Sequence, residues 1–393
     1  MGRAINTEQR RAINTERRLV VVIGAVVFAD TMFYAAIAPL LPELAHSLHL
    51  SKLSAGVLTA SYPAGTLAAA IPGGILAVRI GPKRTVYVGL GLLAASTLAF
   101  GFLQNIVLLD AARLLEGIGG ACSWAGGLAW LVAEAAPERR GAMIGGALGA
   151  AIGGSLFGPV VGAVANAIGR GLAFSAVVVL SLALMLQARR LPEAHAPSGQ
   201  GVKELRRALG GAKLLAAMWL VVLPAMVSGV LNVLGPLRLH VFGAGAAAIG
   251  AAFLGAAAVE GIVTPVIGRL SDRRGRIGPL RAGLVVTIAL LACFTLPSAA
   301  APLALLIVAT AAALGAFWAP AMAMLSDAAE ERRLDQALAA ALMNLAWAVG
   351  AIVGETGGGA IAKATGDGLP MYLVAGLCGV TLVALLRRPR GRR

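Results

Sequence analysis

Apolar residues in this chain fall into long unbroken runs separated by short polar breaks. Twelve runs reach the about 20 residues an α-helix needs to cross the hydrocarbon core of a bilayer. They lie near residues 19–42, 55–78, 85–104, 106–133, 142–165, 171–188, 214–237, 246–268, 279–297, 302–326, 336–361 and 369–386. The longest break, 189–213, carries Arg189, Arg190, Lys203, Arg206, Arg207 and Lys213 and divides the runs into two groups of six. The pattern predicts an all-α membrane protein of two six-helix bundles: a leader 1–18, a bundle 19–188, a linker 189–213, a bundle 214–386 and a basic tail 387–393. The first run exceeds signal-peptide length and lacks a small-residue cleavage site, so it reads as a span.

Composition removes the soluble alternative. Charged residues are 13% of the chain and hydrophobic ones 59%, with mean hydropathy +0.84, whereas a soluble domain is about 25% charged. A net charge of +15 raises nucleic acid as a partner. The cations sit in clusters between apolar runs, however, where anionic lipid headgroups are nearer. With twelve spans, 28 of the 33 Lys and Arg residues share the side of both termini; Lys52, Arg170, Arg238 and Lys363 lie opposite, and Arg113 lies within a span. That imbalance predicts cytoplasmic termini and linker in a cell membrane. Each of Cys122, Cys293 and Cys378 lies in an apolar run, which argues against disulfides and thiolate metal sites. His46 and His49 read as a solvated pair. No metal or cofactor is expected, and no metalloprotease motif or P-loop suggests an enzyme.

Two repeats stand out. Arg3-Ala-Ile-Asn-Thr-Glu-Gln-Arg10 recurs as Arg11-Ala-Ile-Asn-Thr-Glu-Arg-Arg18, and reads as a duplication in a disordered leader rather than a lipid-binding arm. Further in, Gly74-Ile-Leu-Ala-Val-Arg-Ile-Gly81 recurs 194 residues later as Gly268-Arg-Leu-Ser-Asp-Arg-Arg-Gly275. Glu134-Ala-Ala-Pro-Glu-Arg-Arg140 recurs 193 residues later as Asp327-Ala-Ala-Glu-Glu-Arg-Arg333. Two loops with nearly one offset indicate parallel six-helix repeats, whose substrate site lies near the midplane between halves.

These landmarks resemble the major facilitator superfamily across nearly the whole chain. The carriers are the loop Gly268-Arg-Leu-Ser-Asp272-Arg273-Arg-Gly275-Arg276, the intramembrane Arg113-Leu-Leu-Glu116-Gly117-Ile-Gly119, and Gly154-Ser-Leu-Phe-Gly158-Pro159-Val-Val-Gly162. Asp30-Thr-Met32 leading to Pro39-Leu-Leu-Pro42, and Gly359-Ala-Ile-Ala-Lys363, are similar to drug:proton antiporters and vesicular amine transporters. Val78 stands where the superfamily usually has aspartate, and Asn344 where amine transporters have an acid. The resemblance implies alternating access, with the proton gradient as coupling source and the glycine-proline motif associated with export.

The residues themselves suggest where chemistry sits. An ionisable group at helix centre costs roughly 2.5–3.5 kcal/mol on insertion scales, so Asp30, Arg113, Glu116, Glu260 and Glu355 call for a reason. Asp30 shares a helix face with Phe33 and Tyr34, and an acid beside aromatics suits an organic cation. Arg113, Glu116, Gly120 and Trp124 form one stripe with Asp110 a turn away, an intrahelical charge chain in which Arg113 lies between two acids and Trp124 is a candidate substrate contact. With Asp30, Arg113 and Glu116 are the proton-coupling candidates. Asn344, Trp347 and Glu355 make a second polar-aromatic stripe, and Glu260 a further candidate on the substrate path; Phe317 and Trp318 read as packing. Asp272, Arg273 and Arg276, with Arg79, Glu134, Arg140, Asp327 and Arg333, are the candidate gating charges. Gly154, Gly158, Pro159 and Gly162 form a small-residue face for close helix approach.

The expected function is proton-coupled efflux of a small organic, drug-like and cationic solute by a monomer. Export of a neutral solute such as a sugar, and a non-transporting receptor or scaffold on the same fold, are the alternatives.

Overall fold

In hydrocarbon every backbone N–H and C=O must find its partner inside the segment, which leaves the helix as the way for these apolar runs to cross. The computed structural model describes residues 7–135, 139–193, 207, 209–334 and 336–387. Its helices are α1 (Thr7–Ala35), α2 (Ile37–Ser47), α3 (Lys52–Ile80), α4 (Pro82–Phe102), α5 (Ile106–Glu134), α6 (Arg140–Ile168) and α7 (Arg170–Arg189). The second half holds α8 (Ala212–Val241), α9 (Ala246–Arg274), α10 (Ile277–Ala292), α11 (Ala300–Glu331), α12 (Gln336–Ile352), α13 (Gly358–Thr365) and α14 (Gly368–Arg387). Ten helical segments are long and apolar enough to span. Adding α5, which carries the buried charges, and the 16-residue α10 gives twelve crossings. Val179, Leu305 and Val380 stand about 70% exposed on the outer surface, as lipid-facing side chains should.

The structure differs from the hydropathy reading at two places. Residues Thr7 onward of the leader already belong to α1, so the described part of the duplicated leader continues the first helix instead of being disordered; residues 1–6 lie outside the described residues. The ninth span ends at Ala292, where a turn carries Cys293 to Thr295. Most of the linker, 194–206, and the tail beyond Arg387 lie outside the described residues.

Two spans are broken at chemically legible points. Pro39 and Pro42 have no N–H, so the carbonyls of Ala35 and Ala38 lose their helical donors. The chain turns at Ala36, whose N–H reaches Met32 O at 3.1 Å and Phe33 O at 3.3 Å, before α2 resumes. Between α12 and α13, Val353–Gly357 forms a single π-helical turn with Glu355 inside it. Such inserted turns concentrate at functional sites.

The halves pair their helices alike: α3 with α5, α1 with α6 and α4 with α5 in the first, α9 with α11, α8 with α12 and α10 with α11 in the second. Between halves, α3 packs on α12, the π-turn and α13, α6 packs on α9, and α2 on α8. Backbones approach closely across this seam at Gly56 against the Glu355 carbonyl, Gly359 against the Lys52 carbonyl and Gly250 against the Pro159 carbonyl. All three lie within about a turn or two of the face opposite the one carrying the basic loops.

Candidate functional site

Building from α1 inward, Asp30 is fully buried. Its Oδ2 accepts from the Tyr62 hydroxyl of α3 at 2.9 Å and from Trp124 Nε1 of α5 at 3.2 Å, while Oδ1 has no partner. Gly120 makes the room: a Cβ there would lie 2.6 Å from Asp30 Oδ1 and 2.7 Å from the Tyr62 hydroxyl. Gly120→Ala is therefore expected to part Tyr62 from Asp30 and to destabilise the first half by about 1–3 kcal/mol. Gly74→Ala, with nothing within 4 Å, is the control, and thermal unfolding in detergent reads both.

A turn away along α5, Arg113 and Glu116 are each about 2% exposed. Arg113 Nη1 donates to Glu116 Oε2 at 2.9 Å, and Nη2 donates to the Tyr34 carbonyl at 3.3 Å. The guanidinium also lies 5.7 Å from the centre of the Tyr34 ring and 5.2 Å from that of Tyr62. The expected chain of Arg113 between two acids is not formed. Asp110 Oδ1 is without a partner, because the guanidinium turns the other way, toward Glu116 and the carbonyl beside the α1–α2 break. Phe33 packs edge-on against Phe174 at 5.9 Å and shares a small pocket with Arg113 and Glu116.

A different space lies between the halves. A cavity of about 220 Å³ is lined by Tyr34 and Thr59 from the first half and by Asn232, Phe253, Glu260, Trp347 and Glu355 from the second, with Ser155, Pro159 and Ser228 among the remaining walls. Tyr34 stacks at 4.5 Å on Tyr62 and meets Trp347 edge-on at 5.7 Å, so one ring separates the buried Asp30–Arg113–Glu116 cluster from the cavity. Glu355 is 1% exposed; Asn232 of α8 lies beside its carboxylate on the cavity wall, and Oε2 has no partner. Glu260 faces the space with no hydrogen bond or ion pair from any described residue. Of the residues anticipated on the substrate path, Tyr34, Glu260, Trp347 and Glu355 line this cavity; Asp30, Phe33, Trp124 and Asn344 do not.

Twelve crossings in two like-paired halves around a central cavity are matched by sequence comparison. The profile of the Major Facilitator Superfamily matches residues 23–300 and 217–393. The chain belongs to the Major Facilitator Superfamily. It is a multi-pass membrane transporter, not an enzyme. Among curated relatives, "Probable vesicular acetylcholine transporter-A" of Danio rerio is 30% identical over 159 residues, 35% of this chain and 30% of that protein. "Multidrug resistance protein 2" of Bacillus subtilis is 22% identical over 112 residues, 28% of each chain. The chain thus aligns with less than a third of the length of these relatives. Among solved structures, a bacterial homolog of the human lysosomal transporter Spinster, inward-facing and unoccupied, superposes with TM-score 0.76 at 15% identity, covering 94% of this chain and 95% of its own. The nucleoside transporter NupG gives TM-score 0.74 at 14% identity, covering 95% and 100%. At such identities the likeness concerns the fold.

The remaining motif residues of this facilitator fall on its basic face and at one helix seam. Arg276 pairs with Asp327, joining the start of α10 to the end of α11. Asp272, Arg273 and Arg79 are exposed and take part in no ion pair among the described residues. Glu134 is partly buried near Glu16, Arg333 sits at φ 55°, and the side chain of Arg140 lies outside the description. The neighbouring pairs Arg139–Glu16 at 3.1 Å and Lys213–Glu331 at 2.5 Å each stay within one half, as Arg276–Asp327 does. Gly154 and Gly158 of α6 seat against the backbone of α1 at Phe28 and Met32, and Gly162 against Ala36 and Pro39. Thr31 adds a hydrogen bond to Ala151 O at 3.0 Å. Pro159 lies on the other side, toward α9 and the cavity.

Tyr62 and Asn232 are side chains of the candidate site that the sequence reading passed over. Asn232 is an amide within the apolar stretch 214–237, which is a usable signal. Tyr62 in the second span has no comparable mark.

Proposed function

We propose that this facilitator is a secondary active transporter that exports a small organic cation in exchange for protons, alternating access across the seam between its halves. One observation carries the reading: the wall of the inter-half cavity holds two carboxylates, Glu260 and Glu355, and three aromatic rings, with no Lys, Arg or His among its lining residues. Aromatic faces and carboxylates both favour a cationic centre, and desolvation inside the bilayer strengthens each attraction. The buried cluster Asp30–Tyr62–Arg113–Glu116, one ring away, is the reading's proton-handling half. The cation imbalance between faces supports cytoplasmic termini in a cell membrane, so a cavity filled from the basic face and emptied opposite runs as export.

The experiment is uptake into proteoliposomes under an imposed pH gradient, comparing tetraphenylphosphonium and ethidium with a nucleoside and a sugar. Gradient-driven movement of the cations alone is the expected result. Movement of the neutral solutes alone would shift the reading to the hydroxyl and amide groups of Thr59, Ser155, Ser228 and Asn232. No flux of any of the four would sink the transport assignment for these classes.

The open carboxylate carries its own prediction. Glu260→Gln is expected to raise KM for the cation about tenfold or more, equivalent to roughly 1.4 kcal/mol per decade, with little change for an uncharged analogue of the same shape. Equal losses for both would mean a packing role.

A further inference from the structure

On the face opposite the basic loops, cations are few, and two of them converge on one acid. Lys52, the first residue of α3 in the first half, places Nζ 2.5 Å from Oδ1 of Asp367 in the second. Arg238, in the last turn of α8, places Nη1 3.4 Å from the other carboxylate oxygen. Asp367 stands in the short connection between α13 and α14, presented by Gly366 at φ +87°, a left-handed conformation that glycine adopts freely.

Each partner is held before it meets the others. Arg238 donates through Nη2 to the Thr295 carbonyl at 3.0 Å, and its guanidinium lies 5.4 Å from the centre of the Phe242 ring and 5.6 Å from that of Phe294. These contacts all lie inside the second half, so Arg238 and Asp367 form one preset unit. Lys52 follows the N-cap Ser51, whose Oγ accepts from Ser54 N at 3.2 Å, so it extends from a fixed helix end. Beneath the pair, Gly359 of α13 packs on the Lys52 carbonyl. By contrast, Arg170 on the same face bonds to Leu103 O at 3.3 Å, within its own half, and the basic-face pairs Arg139–Glu16, Lys213–Glu331 and Arg276–Asp327 also stay within halves. The described ion pair that crosses the seam is Lys52–Asp367.

We propose that Lys52 and Asp367 form the latch that keeps the face opposite the basic loops closed, with Arg238 as the positioning residue that aims the carboxylate. An interaction made in one access state and broken in the other shifts their populations by its own differential free energy. The latch therefore sets how often the cavity opens away from the basic face, whatever solute it carries. This inference does not rest on the cation reading.

The test is double electron–electron resonance in lipid nanodiscs, on the full chain with Cys293→Ser. One spin-label pair spans the latched face, at Ser47→Cys and Val241→Cys; another spans the basic face, at Val78→Cys and Arg274→Cys. Asp367→Asn and Lys52→Met are each expected to raise several-fold the longer-distance population of the first pair while shortening the second. Lys52→Arg should keep the parent distribution, and Arg238→Met should fall between. Unchanged distances in both Asp367→Asn and Lys52→Met would overturn the latch. So would lengthening of both pairs together, the signature of a loosened fold rather than a shifted access equilibrium.

Discussion

Arg113→Met is expected to abolish proton-driven transport and to lower the stability of the first half by about 3–5 kcal/mol, the usual consequence of stripping one partner from a buried ion pair. Arg113 and Glu116 are about 2% exposed and joined at 2.9 Å. Without the guanidinium, the Glu116 carboxylate is left enclosed among apolar groups, and the Tyr34 carbonyl loses its donor at the break between α1 and α2. The Tyr34 and Tyr62 rings lose their cation as well. Calorimetry in detergent measures the first effect and gradient-driven uptake the second.

The double variant separates the two roles. Arg113→Met with Glu116→Gln removes the stranded charge, so most of the lost stability should return. Transport driven by pH should not. Glu116→Gln alone is expected to preserve substrate counterflow while flattening its dependence on pH. A single variant with unchanged pH dependence would take Glu116 out of coupling and leave the pair structural.

The span count and the family landmarks could be read from sequence because each rests on a signal longer than any one residue. Apolar length defines the spans, and a bilayer imposes that length regardless of tertiary detail. The placement of side chains within the bundle was less legible, for a physical reason. A helix that is apolar on all sides has no moment to point with, so nothing marks which face of the run 19–42 meets the cavity. Asp30 and Tyr34 are one turn apart, yet Asp30 is sealed between α3 and α5 while Tyr34 lines the cavity.

Glu355 and Asn344 show the same limit on the other side of the seam. Regular helical spacing from Asn344 through Trp347 and Ala351 places Glu355 on the same stripe, and Glu355 lines the cavity with Trp347 from within the π-turn at Val353–Gly357. Trp347 and Glu355 reach the cavity, Asn344 does not. The turn also brings Glu355 opposite Asn232 of α8, a partner that no spacing within one helix could indicate. In the first half, the i, i+3 spacing of Arg113 and Glu116 predicts a contact that is made, whereas the equal spacing back to Asp110 predicts one that is not. The difference comes from the Tyr34 carbonyl on another helix, which draws the guanidinium to one side.

Asp30→Asn is expected to stop pH-driven efflux altogether while leaving insertion, folding and equilibrium binding of a cation close to those of the parent. The carboxylate receives the Tyr62 hydroxyl at 2.9 Å and Trp124 Nε1 at 3.2 Å, so asparagine at this position still has an oxygen to accept from both. What it loses is the capacity of Oδ1, buried without a partner, to take and release a proton. Because Asp30 lies behind Tyr34 and off the cavity wall, its removal should appear in coupling and not in affinity, the reverse of the pattern expected for Glu260→Gln. Binding of tetraphenylphosphonium measured in detergent, set beside gradient-driven flux of the same ion in proteoliposomes, distinguishes the two. Affinity lost in parallel with flux would place Asp30 in contact with substrate in another access state, and full retained flux would remove it from the mechanism.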